Sequence, residues 1–139
     1  MAYERVIAVW NWYDGPRTGV ADYDGRPHHF SCEFDEQEDE YSNDYLLRPL
    51  DERALALVHE RQTIWQQWQL AFRRGEVTQQ THPALPGQNP RFVELHEILD
   101  SHIASVGTRI RVKGEFHSPS REVGLRIADD LEVQWSEAT

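Results

Sequence analysis

A single cysteine, Cys32, stands in a chain of 139 residues. It cannot form an internal disulfide, which fits a reducing compartment. Long apolar runs are missing as well. The longest, residues 6–10 and 54–58, span five residues each, against about 20 for a helix that crosses a bilayer. The opening stretch, MAYERVIAVWNWYDG, carries Glu4 and Arg5 and has neither the apolar core nor the small-residue cleavage site of a secretory signal. Together these absences predict a cytoplasmic protein without a membrane span. No G-x-S-x-G, P-loop or G-x-G-x-x-G pattern occurs, so hydrolase, nucleotide and dinucleotide chemistry lose their usual handles. Positive charge is scarce too: 14 Lys and Arg face 24 Asp and Glu, for a net charge of -10. Duplex DNA or RNA is then a poor partner, because affinity for a phosphate backbone comes from Lys and Arg.

What is present is a core. The chain is 39% hydrophobic, with five Trp, five Tyr and five Phe, and its length suits one domain over 1–139. The acidity is concentrated. Glu33, Asp35, Glu36, Glu38, Asp39, Glu40 and Asp44 fall within EFDEQEDEYSND, a stretch without Lys or Arg, and the 127 residues outside that stretch carry a net charge of only -3. The spacing does not fit a calcium loop, which needs alternating oxygen ligands and a glycine at its turn. Two uses remain: a solvated linker, or a surface that steers a basic protein, with Tyr41 and Tyr45 as apolar anchors among the carboxylates.

Periodicity and turn chemistry predict an α+β fold. An N-terminal antiparallel β-meander runs from Glu4 to Asp35. Asp24-Gly25 suits its second turn, because a two-residue type I′ hairpin needs positive φ at both central positions. The strand YLLRPL follows the acidic run. Asp51 is a good N-cap for a helix to residue 74, with Gly75 beyond its end and an interruption of its apolar stripe at 60–63. After a proline-rich connection, Asn89 and Pro90 open a second helix with Phe92, Leu95, Leu99, Ile103 and Val106 on one stripe. Two C-terminal strands, near TRIRVKGEF and LEVQW, join the sheet. The helices are expected to form an antiparallel pair packed on one face of it.

Facing residues in a hairpin share a side. With Asp14-Gly15-Pro16 as the first turn, Ile7, Val9, Ala21, Phe30, Cys32 and Phe34 share the core face. Trp10, Trp12, Asp22, His29 and Glu33 share the other, with Val6, Ala8 and Val20. That second face is either a ligand pocket, with His29 and a carboxylate for acid-base chemistry, or a surface covered by the C-terminal segment and Trp135. The histidines make no metal pattern: His28 and His29 point to opposite faces, and His96 with Asp100 at helical spacing lacks a third ligand. No cofactor is implied. Cys32, among carboxylates that disfavour a thiolate, reads as buried and inert.

Three functional readings follow. The first is an acidic module of inhibitor, immunity or adaptor type. It binds a basic protein through Glu33, Asp35, Glu36, Glu38, Asp39, Glu40 and Tyr41, with Trp10 and Trp12 contributing. The second is a small-molecule enzyme or binding protein using Trp10, Trp12, Asp22 and His29. The third is self-association through the 51–74 helix, whose second half carries Ile64, Trp65, Trp68 and Phe72.

Overall fold

The computed structural model describes residues 2–118 and 131–138, so the expected loop HSPSREVG falls outside the described residues from its third position onward. The strands are β1 (Glu4–Trp12), β2 (Pro16–Tyr23), β3 (Arg26–Asp35), β4 (Glu40–Pro49), β5 (Ile110–His117) and β6 (Glu132–Glu137), and the long helices are α1 (Glu52–Arg73) and α2 (Pro90–Ser105). Backbone contacts group the chain into two units, Met1–Leu50 with Val106–Thr139, and Asp51–Ser105. No described helix is long and apolar enough to cross a membrane.

The α+β class and the antiparallel pairing hold, and the sheet closes on itself. Each strand pairs with the next, and β6 pairs with both β5 and β1 to complete a six-stranded barrel. A barrel takes its core from its own interior, and here that interior is aromatic. Phe30, Tyr45, Phe116 and Trp135 form one cluster in which every pair of rings lies 5.3–6.2 Å apart, mostly tilted or edge-on. Edge-on and tilted contacts suit the ring quadrupoles. The polar tips are satisfied: Tyr45 Oη donates to the Pro16 carbonyl at 3.0 Å and Trp135 Nε1 to the Asp22 carbonyl at 2.9 Å. Trp135 is thus inside the barrel, not laid over Trp10 and Trp12.

Two glycines make room for the rings. A Cβ on Gly114 would come within 2.6 Å of Trp135 and 3.0 Å of Tyr45, and one on Gly19 would meet the Ala8 carbonyl oxygen at 2.2 Å.

The second hairpin follows the predicted register, with Tyr23 opposite Arg26, Ala21 opposite His28 and Gly19 opposite Phe30. Asp24 and Gly25 both have positive φ, and their amides donate to the Glu4 carboxylate. The first hairpin differs. Its turn is Tyr13-Asp14-Gly15, with Trp12 opposite Pro16, and β1 slips register between Val6 and Ala8 and again between Val9 and Asn11. Each extra residue breaks the alternation. Val6 therefore joins Ala21 in the core in place of Ile7, while Val9 and Cys32 lie against the core as expected. In β3 the register breaks again between Cys32 and Phe34, and Phe34 is 48% exposed rather than in the core.

In the helical unit, Asp51 caps α1 by accepting from the Ala54 amide at 2.8 Å, and Asn89 caps α2 through the Phe92 amide at 3.0 Å. The interruption of the apolar stripe at 60–63 does not break the helix: α1 runs from Glu52 to Arg73. Its buried stripe of Ala54 and Val58 continues through Gln62, so a polar residue holds a core position there. The two helices are antiparallel. Glu60 pairs with Arg91, the Arg61 guanidinium lies 4.7 Å from the Phe92 ring, and Asp51 approaches His102. The Arg91 ion pair holds the Glu60 carboxyl below its ordinary pKa, and burial lowers that of Arg61 to about 10.

Candidate interaction surface

The acidic run is not a linker. It folds as the β3–β4 hairpin, with Asp35 opposite Glu40 and residues 36–39 as its turn. Asp35 organises that turn, its Oδ1 accepting from the amides of Gln37 (2.9 Å) and Glu38 (3.2 Å). An aspartate that caps a turn in this way holds nearby backbone without needing a tertiary contact. Asp39 takes a positive φ of 53° to close it.

Hairpin formation separates six of the seven acids into two groups, the seventh, Asp35, being the cap of the turn. Glu33 and Asp44, on the strands, face β5: Arg111 reaches Glu33 at 2.7 Å and Asp44 at 3.2 Å, and Lys113 reaches Asp44 at 3.2 Å. Glu33 thus pairs with a cation of the barrel wall. Glu36, Glu38, Asp39 and Glu40 are exposed, and no described cation lies within ion-pair distance of them. The negative field of the segment is therefore concentrated at its tip.

Aromatic residues stand beside that tip. The Tyr41 ring meets Phe34 edge-on at 5.1 Å and Tyr13, on the β1–β2 turn, at 6.1 Å. Tyr13 is 69% exposed. Arg17 ties the two hairpins together. Its guanidinium carbon lies 4.4 Å from the centroid of the Tyr41 ring, while Nε donates to the Tyr13 carbonyl at 2.7 Å and Nη2 to the Asp14 carbonyl at 2.8 Å. Nη1 comes within 3.5 Å of Cys32 Sγ, and that thiol donates to the Ser42 carbonyl at 3.2 Å. Cys32 is half-buried and engaged on two sides. Behind it, burial raises the Tyr45 phenol above its ordinary pKa, so this tyrosine stays protonated. Between the two turns lies a groove of about 570 Å³, lined by Asn11, Tyr13, Asp14, Arg17, Phe34, Asp39, Glu40 and Tyr41.

Of the predicted site residues, the tip brings together Asp35, Glu36, Glu38, Asp39, Glu40 and Tyr41. It adds Tyr13, Arg17 and Phe34, which the pattern reading missed. Their signal was available in part: Tyr13 and Arg17 flank the Asp14-Gly15 turn, and Phe34 sits within the acidic run. The face built around Trp10 and His29 is a different place. Those two rings are 5.5 Å apart on the outer side of the barrel wall, and His29 is only 8% exposed. Its expected carboxylate partners pair elsewhere, Asp22 with Arg5 at 3.6 Å and Glu33 with Arg111. Trp12, displaced from Trp10 by the register shifts, is 42% exposed near the first turn.

On α1, Trp65, Trp68 and Phe72 form a stacked ladder with centroid spacings of 5.5 and 5.2 Å. The loop after α1 folds onto it: Trp68 Nε1 donates to Thr81 Oγ1 at 3.1 Å, and the His82 ring meets Trp65 at 5.2 Å and Trp68 at 4.8 Å. Part of the apolar bulk expected to serve a dimer face is thus used within the helical unit. Among the described residues, no group of three or more His, Cys, Asp and Glu is placed to hold a metal ion. No protein-family model matches this chain, and neither a curated protein nor a solved structure is significantly similar to it.

Proposed function

We propose that this protein is an interaction module that binds a basic protein surface through the β3–β4 tip and the aromatic groove beside it. The observation that carries the reading is the division of the acids: two are neutralised by β5, and four are exposed at a turn next to exposed rings. Exposed carboxylates speed the encounter with a cationic partner, and rings that leave water on docking hold it. A cytoplasmic partner and an inhibitory or adaptor role belong to this reading. The enzyme reading draws no comparable support, since the His29 ring is buried and its expected carboxylates are paired with arginines.

The test uses the protein and a variant with Glu36→Gln, Glu38→Gln, Asp39→Asn and Glu40→Gln as paired baits in a native lysate at low and moderate salt. A basic protein held by the first, released by salt and lost from the variant is the expected result. Identical lists from both baits would overturn the reading. Circular dichroism of the variant checks that the barrel is intact.

A further inference from the structure

The groove between the β1–β2 and β3–β4 turns carries more information than its charge. We infer, resting on the reading above, that it accepts arginine side chains of the partner and discriminates a guanidinium from an ammonium. Charge complementarity gives the sign of the occupant. Three carboxylates, Asp14, Asp39 and Glu40, line the groove against one guanidinium, that of Arg17, so two negative charges are left unbalanced. The described residues supply no ion pair to Asp14, Asp39 or Glu40.

The rings give the shape of the occupant. Arg17 already displays the chemistry this wall suits: a flat cation stacked over Tyr41 at 4.4 Å, with its edge donors forked onto two main-chain carbonyls. It covers one side of Tyr41, and the Phe34 ring abuts Tyr41 at 5.1 Å. Tyr13 and Phe34 themselves remain 69% and 48% exposed in the same groove as the carboxylates of Asp39 and Glu40. A guanidinium uses both at once, stacking its weakly hydrated face on a ring while its fork of N–H donors meets a carboxylate. An ammonium is compact and strongly hydrated, so it gains from the carboxylates alone and leaves the rings wet. The partner is therefore a basic segment rich in arginine rather than lysine.

Two labelled peptides of identical sequence, one with arginine and one with lysine at every basic position, test this by fluorescence anisotropy at fixed salt. Each is titrated with the intact protein, the four-residue neutralised variant, and a variant carrying Tyr13→Ala and Phe34→Ala. Both rings of the last variant are exposed, so its fold is expected to survive, and its melting temperature checks that. The expected result is arginine-peptide binding about 10-fold tighter than lysine-peptide binding. The ring variant should bring the ratio close to one with lysine-peptide affinity unchanged, and neutralisation should weaken both peptides. Equal affinities for the intact protein would overturn the arginine preference while the basic-partner reading stands. A preference that survives loss of both rings would overturn the role given to the groove. Binding of neither peptide would overturn the inference, and the lysate test then decides the broader reading separately.

Discussion

Gly114 and Gly19 show how single residues set the width of this barrel. Four large rings fill the interior, and the wall passes closest to them where it has no side chain. At Gly114 an added methyl would meet the Trp135 and Tyr45 rings at 2.6 and 3.0 Å, so the rings must shift against a cluster that is already in mutual contact. Gly114→Ala is expected to cost about 1–3 kcal/mol, the usual range for overpacking, read as a lower urea midpoint with unchanged m-value. Gly19→Ala should cost more, because its nearest neighbour is the Ala8 backbone oxygen at 2.2 Å, which cannot rotate away. A smaller effect at Gly19 than at Gly114 would mean that the β1–β2 hairpin is softer than that backbone contact implies. Tyr45→Phe isolates the polar tip of the same cluster. It removes one hydrogen bond to the Pro16 carbonyl and should cost on the order of 1 kcal/mol.

Among the elements, the clearest dependence on conditions belongs to the loop after α1. His82 sits against Trp65 and Trp68, its Nδ1 accepts from the Ala84 amide at 3.0 Å, and burial lowers its pKa from the ordinary 6.5. An acceptor Nδ1 must carry no proton, so this arrangement belongs to the neutral ring. The folded state then binds fewer protons than the unfolded chain, and stability rises with pH across this titration. The contribution is complete above pH 6.5 and is lost as pH falls towards and through the lowered folded value. Urea unfolding followed by tryptophan fluorescence at pH 7.5 and 5.5 measures it. The chain should be less stable at the lower pH, and His82→Gln should reduce that difference; an unchanged difference would remove His82 from the account. The second hairpin and both helix caps were legible in the sequence because they are local: Asp24-Gly25, Asp51 and Asn89 act within three residues of themselves. The slips in β1 were not. Which residue a bulge leaves unpaired depends on the strand across from it, and one slip exchanged Ile7 for Val6 in the core. Tyr13, Arg17 and Phe34 were missed for the same reason, since their meeting depends on where two separate hairpins end.

Across the whole molecule, charge is arranged so that closure of the barrel and exposure of the tip are separate matters. Barrel closure could not be read from the strand pattern, because pairing of β6 with β1 joins the two ends of the sequence. Once closed, the wall places Arg111 and Lys113 of β5 opposite Glu33 and Asp44, while no described cation forms an ion pair with the turn acids. Perturbing the two groups should therefore have opposite consequences. Arg111→Ala leaves Glu33 without an ion pair while Asp44 keeps Lys113, and is expected to strengthen attraction for a cationic partner slightly, at a small cost in stability, because exposed pairs contribute little. Neutralising Glu36, Glu38, Asp39 and Glu40 reduces self-repulsion at the tip, so stability should hold or rise while binding is lost. Thermal melts of both variants, set beside their binding of an arginine peptide between 50 and about 300 mM salt, distinguish the two roles through the screening of exposed charge. If the tip variant melts well below the parent, the four carboxylates are structural, and the case for an interaction surface at this end of the barrel falls with them.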